Sequence, residues 1–183
     1  LTRFAIDITG NIPQQKIQTT KSNRAALRKI VRTLSGTAKR SPVILENLEN
    51  SQASSIINSL AQEISFGETS TNLKSARIFE LNINKLANGT KTPQEFAGRV
   101  SSVLNEAVES DGQVIIFVPD LHQYVGNYAN PEVSAAFIKA LNEDQLRLIG
   151  AETTAAYQEN ISADDSASSL FQTISLDDQS TAK

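Results

Sequence analysis

Val114 to Val118 reads VIIFV, five consecutive apolar residues of which four are β-branched. A run of that kind predicts a central strand covered on both faces. Weaker runs of similar length occur on either side of it. Pro42 to Leu45 (PVIL) is one. Arg77 to Asn84 (RIFELNIN) is a second, with Ile78, Leu81 and Ile83 as its apolar residues. Leu146 to Ile149 is a third, and Phe171 to Leu176 (FQTISL) alternates weakly as a fourth.

The stretches between these runs change period. Residues 24–34 place Ala26, Leu27, Ile30, Val31 and Leu34 at helical spacing, with Arg24, Arg28, Lys29 and Arg32 mostly on the other side. Residues 52–66 put Ile56, Ile57, Leu60, Ala61 and Ile64 on one face, and Gly67 stops that helix. Pro93 opens a helix through Phe96, Val100, Val103, Leu104 and Val108 that leaves at Asp111-Gly112. Pro131 opens another with Val133, Phe137, Ile138 and Leu141. Strands separated by helices imply crossover connections, so the fold class is α/β with a parallel five-stranded sheet sandwiched by helices. Segment 162–169 (SADDSASS) and the terminal DDQSTAK are polar and small, and are expected to be mobile. No internal repeat is present.

Composition excludes several classes. A chain of 183 residues suits one domain with a sizeable core. At 39% hydrophobic it is too apolar for full disorder, and the apolar residues are too dispersed for a membrane span. With no cysteine there is no disulfide framework, thiolate metal site or thiol nucleophile. The single histidine, His122, excludes any site that needs two imidazoles. No signal peptide is read. The absence of methionine reads as a fragment or a processed chain.

The formal net charge of -3 hides a gradient. Residues 1–40 hold nine basic residues and one acid, Asp7, for a local +8. Residues 41–100 come to -1, and residues 101–183, with three basic and thirteen acidic residues, to -10. The basic end suggests contacts from Arg24, Arg28, Arg32, Lys39 and Arg40 to a polyanion. Against this, no aromatics are interleaved there. A solvated helix face, or a contact between basic and acidic edges of neighbouring subunits, accounts for the same charges.

Four segments carry a resemblance: LTRFAIDITG (1–10), PVILENLENSQASSIINSLA (42–61), QVIIFVPDLHQYVG (113–126) and LIGAETTAAY (148–157). In this order and spacing the chain resembles the first ATPase domain of the Clp-type AAA+ unfoldases and disaggregases. FVPDLHQYVG (117–126) is the best single match. The resemblance implies a P-loop NTPase-like large α/β subdomain over residues 23–176, an entry segment over 1–22 and a polar tail over 177–183. The small helical lid that follows in the family is absent from these residues.

The functional positions that the resemblance implies can be read one by one. A phosphate loop of the form G-x-x-x-x-G-K-[ST] uses glycines to bring backbone N–H groups onto the phosphates, a lysine for charge and a hydroxyl for Mg²⁺. Here the stretch is ENLENSQAS, with Glu46, Asn47, Glu49, Asn50, Ser51, Gln52 and Ser54 at the degenerate positions. It has neither glycine nor lysine, and two acids stand where a triphosphate would lie. Ser54 or Ser55 either imitates the metal-binding hydroxyl or faces solvent at a helix start. The Asp-Glu pair that positions Mg²⁺ and water is replaced by Pro119 and Asp120. Thr153 matches the sensor-1 threonine. In the pore loop, Lys91 is followed by Thr92 where the family has its aromatic. The segment Ser166–Phe171 (SASSLF) has no arginine finger, since Arg147 is the last arginine. His122 reads as a hydrogen-bonding residue rather than a catalyst.

The function this implies is a degenerate Clp-type AAA+ domain, a pseudo-ATPase without catalytic, cofactor or metal residues. It would be a structural, assembly or protein-interaction module of a larger chaperone. Its expected partners are proteins or neighbouring subunits, with no nucleic acid and no membrane span, in the cytoplasm. The alternatives are a divergent but active domain that binds ATP and Mg²⁺, with Asp120 as its only acid, and a basic-helix nucleic-acid-binding module.

Overall fold

The computed structural model of the chain describes residues 3–12, 15, 18–35, 40–46, 52–69, 71–142 and 146–176. The strands are β1 (Ala5–Asp7), β2 (Ser41–Glu46), β3 (Arg77–Leu81), β4 (Val114–Val118), β5 (Arg147–Thr153) and β6 (Phe171–Ser175). The helices are α1 (Lys21–Ser35), α2 (Ala53–Ser65), α3 (Ile83–Ala87), α4 (Pro93–Glu109), α5 (Pro131–Leu141), α6 (Thr154–Asn160) and α7 (Asp165–Ser168). The sheet order is β1-β3-β4-β5-β2-β6.

The five expected parallel strands are present, from β3 at one side to β6 at the other. A sixth, β1, joins antiparallel to β3 and pairs Ile6 with Glu80. It was not expected, because three residues in the order apolar, apolar, acid carry no period of their own. Once paired, Ala5 is buried against the sheet. The entry segment thus supplies an edge strand.

The period-two geometry of a strand divides the VIIFV run between two cores. Ile115 and Phe117 join Ile44, Ile78 and Ile149 under α1 and α2. Ile116 and Val118 join Val43, Phe79 and Leu148 under α4 and α5. Full burial of each such side chain contributes about 1.5–3 kcal/mol, which is why the central strands tolerate so little polarity. α1 buries Ala26, Leu27, Ile30 and Leu34, and α2 buries Ile56, Ile57, Leu60 and Ile64.

Three expectations need correction at their edges. β3 ends at Leu81, because the Asn82 side chain accepts from the Lys85 N–H and starts α3, so Ile83 is helical. β5 runs on to Thr153 rather than stopping at Ile149, because residues 150–153 pair in register with β2. Segment 162–169, expected to be mobile, contains α7; its cap is Asp164, and Ala167 is fully buried. The last residues, 177–183, lie outside the described residues.

Gly126 closes the loop after β4 at φ 113. A Cβ there would collide with the Asn160 carbonyl oxygen and stand 3.0 Å from its carbon. Gly126→Ala therefore combines a disfavoured backbone with a backbone clash, and is expected to cost about 3 kcal/mol. Urea unfolding should show a lower midpoint with an unchanged slope.

Candidate functional site

Ligands of open parallel sheets bind at the carboxyl ends of the strands, where helix N-termini converge. Glu46 ends β2 at this edge, in register with Thr153 of β5. Its Oε2 accepts from the backbone N–H of Gln52 at 2.7 Å and of Ala53 at 3.0 Å. Gln52 precedes α2, and its own side chain makes no cap. The first N–H groups of a helix lack internal partners, and the positive end of the helix dipole favours an anion. Glu46 satisfies both requirements from within the chain.

With Ser54 at the hydroxyl position of the phosphate-loop pattern, Ala53 stands at the lysine and Gln52 at the second glycine. On that alignment, which the Clp resemblance implies, the two amides that hold the Glu46 carboxylate would be those of phosphate-wrapping positions. Ser54 itself is exposed in the first turn of α2. Asn47, Glu49, Asn50 and Ser51 lie outside the described residues.

After β4 comes Pro119, then Asp120 in a left-handed conformation (φ 51, ψ 56). The Asp120 carboxylate is exposed and makes no cap bond, while its carbonyl accepts from the Gln123 N–H at 3.0 Å and starts a 3₁₀ turn over Leu121–Gln123. Tyr124 follows, fully buried against Phe137 with ring centroids 5.4 Å apart. Burial pushes its phenol far above the ordinary range, and the charges of Asp120 and then Glu80 push the same way. Burial also raises the Glu80 carboxyl.

At the end of β5 lies a residue that sequence reading missed. Glu152 is buried, and its Oε2 accepts from the His122 backbone N–H at 2.8 Å. The same oxygen lies 2.5 Å from His122 Nδ1, and Oε1 accepts from the Thr153 N–H at 2.9 Å. The available signal was an acid inside the otherwise apolar LIGAE strand, which must find a partner somewhere in the fold. His122 thus has a hydrogen-bonding role at this edge. Thr153 caps α6, accepting from the Ala156 N–H at 3.2 Å.

The pore-loop-like pair is also engaged in capping. Thr92 Oγ1 accepts from the Glu95 N–H at 3.2 Å, and Glu95 Oε2 accepts from the Lys91 N–H at 2.8 Å. T-P-Q-E is the spacing of a capping box. In segment 166–171, α7 runs to Ser168 and Phe171 enters β6. Among the described residues no group of three or more His, Asp or Glu side chains is placed to hold a metal ion.

No protein-family model matches the sequence. Over 177 residues, 95% of the chain, it is 30% identical to the chaperone protein ClpB of Propionibacterium freudenreichii subsp. shermanii. It is 29% identical over 184 residues, 99% of the chain, to ClpB of Bacteroides thetaiotaomicron. Among solved structures, the Saccharomyces cerevisiae Hsp104–ADP complex superposes with a TM-score of 0.82 at 28% identity over 95% of the chain. The chain is homologous to an AAA+ domain of the ClpB/Hsp104 chaperones.

This Clp-type domain spans about a fifth of the length of those ClpB relatives, 20% and 21%, and 30% of the Hsp104 chain. Its sheet order, with β2 between β5 and β6, carries the Glu46 and Glu152 carboxylates to one edge.

Substitutions at two carboxylates, Glu152 of β5 and Glu80 of β3, test the electrostatics here. Glu152→Ala strands the N–H groups of His122 and Thr153, and should cost about 3 kcal/mol in thermal unfolding; Glu152→Gln, which keeps an acceptor, should cost less. Glu80 is a carboxyl whose pKa is higher folded than unfolded. Its contribution is therefore present below the ordinary value of 4.5 and is lost as pH rises through the raised value. Glu80→Gln should stabilise the Clp-type domain at neutral pH, and the gain should vanish below 4.5.

Proposed function

We propose that this Clp-type domain has lost nucleotide binding and hydrolysis and acts as a structural, assembly or protein-interaction module of a larger chaperone- or unfoldase-like protein. The observation that carries this reading is the Glu46 carboxylate on the amides of Gln52 and Ala53. A phosphate would have to displace that carboxylate and then lie beside its charge, with alanine at the lysine position. ATP and Mg²⁺ do not fit the residues present. Pro119 has no carboxylate for a metal, and Asp120, one carbon–carbon bond (about 1.5 Å) shorter than glutamate, is turned into a left-handed loop start. Hsp104 itself is solved with ADP and, with FITC casein, in a closed state with ATPγS. The reading holds that this homologous domain keeps the scaffold of such a protein without its nucleotide.

The partners proposed are proteins or neighbouring subunits of a Clp-like assembly, in the cytoplasm. Among the described residues no helix is long and apolar enough to cross a membrane.

Titration calorimetry with ATP or ADP and Mg²⁺ is expected to show no binding up to millimolar nucleotide. A dissociation constant in the low micromolar range overturns the reading. Glu46→Ala should lower stability by about 1 kcal/mol through loss of the α2 cap, and should leave nucleotide binding undetectable because the lysine and glycines remain absent.

A further inference from the structure

A groove of about 1000 Å³ lies on the face of the sheet covered by α1 and α2, lined by both helices, by Gln18 and Thr19 ahead of α1 and by the chain that follows α2. One rim is a row of arginines. Arg24, Arg28 and Arg32 stand four residues apart on α1, about 6 Å per step along its axis, and all three are exposed. Among the described residues none of the three makes an ion pair. The floor is apolar. It is formed by Leu27 and Val31 together with Phe66, whose side chain remains 48% exposed at the end of α2. Glu63 and Glu68 also line the groove.

We propose that this groove binds an acidic amphipathic α-helix of a partner protein. Each part of the groove selects one feature of that occupant. The arginine row matches acids at i, i+4 and i+8 on a helix lying alongside, since both then repeat at the same rise. The floor matches a leucine or phenylalanine stripe next to those acids, and covering Phe66 supplies the apolar gain that charge pairing at a wet surface does not. A phosphate backbone offers no apolar stripe and would leave Phe66 uncovered. The groove is built from the side of α1 and the second half of α2, away from the Glu46 cap at the start of α2, so this inference does not depend on whether a nucleotide binds.

The test uses the 183-residue chain and a fluorescein-labelled designed peptide of about 18 residues, roughly five helical turns, read by fluorescence anisotropy. The peptide carries glutamates at every fourth position beside a leucine stripe, with lysines on the other edge. Saturable binding that weakens as salt rises from about 50 to about 300 mM is expected. The triple charge reversal Arg24→Glu, Arg28→Glu, Arg32→Glu should weaken it at least about tenfold, or about 1.4 kcal/mol. Phe66→Ser should weaken it in its own right. All four substitutions are at exposed positions, and circular dichroism checks that each variant is folded. Equal binding of a scrambled peptide of the same composition overturns the proposal, as does full binding to the charge-reversed variant. Two further results assign the groove elsewhere and also overturn it. One is a short duplex DNA that binds the groove and displaces the peptide. The other is self-association in sedimentation velocity that the charge reversal abolishes, with no peptide bound.

Discussion

One sheet is squeezed between two helical layers, and the rest of the molecule follows from it. A strand covered on both faces has no side on which to place a charge, so β4 is VIIFV and β2 has Val43, Ile44 and Leu45 at its centre. The alternation of a strand sends Ile115 and Phe117 to one core and Ile116 and Val118 to the other. The two cores are thereby joined through the same five residues. A polar substitution at any of them would bury an unpaired group in one core or the other.

Polarity is displaced to the carboxyl edge of the sheet, and there carboxylates and hydroxyls serve the backbone. Glu46 caps α2 across six residues of sequence, and Thr92 and Thr153 cap α4 and α6. Glu152 ties the end of β5 to the turn after β4 through His122. At several positions where the Clp resemblance would place chemistry, the side chain is thus occupied by a helix N-terminus. A buried or half-buried N–H must be met by some acceptor, and a chain that supplies one internally needs no ligand to complete the fold.

The folded chain also turns a gradient along the sequence into a polarity across the sheet. α1 carries Lys21, Arg24, Arg28, Lys29 and Arg32 on one face. Glu106 and Glu109 of α4, Glu132 of α5, Glu159 of α6 and Asp165 of α7 lie on helices of the other. Opposite charge on opposite faces is an arrangement suited to heterologous contacts, in which unlike surfaces meet.

Much of this was legible in the residues. The switch between period two and period 3.6 located the five parallel strands and the four long helices, because each of those elements buries enough apolar surface to leave a pattern. Short elements left none. β1 depends on hydrogen bonds lent by β3, and α3 and α7 depend on caps from Asn82 and Asp164. The missing glycines, lysine and arginine were plain in the sequence, since an absence of residue types needs no coordinates. The sequence could not say which acceptor meets the start of α2, because Glu46 meets Gln52 and Ala53 only when β2 and α2 are laid end to end. Nor could it pair Glu152 with His122, thirty residues away on a neighbouring turn. Composition and period determined the layers, which are set by burial. The tertiary structure decided which acids are held and by which amides, because hydrogen bonds act over about 3 Å and only the fold sets distances on that scale.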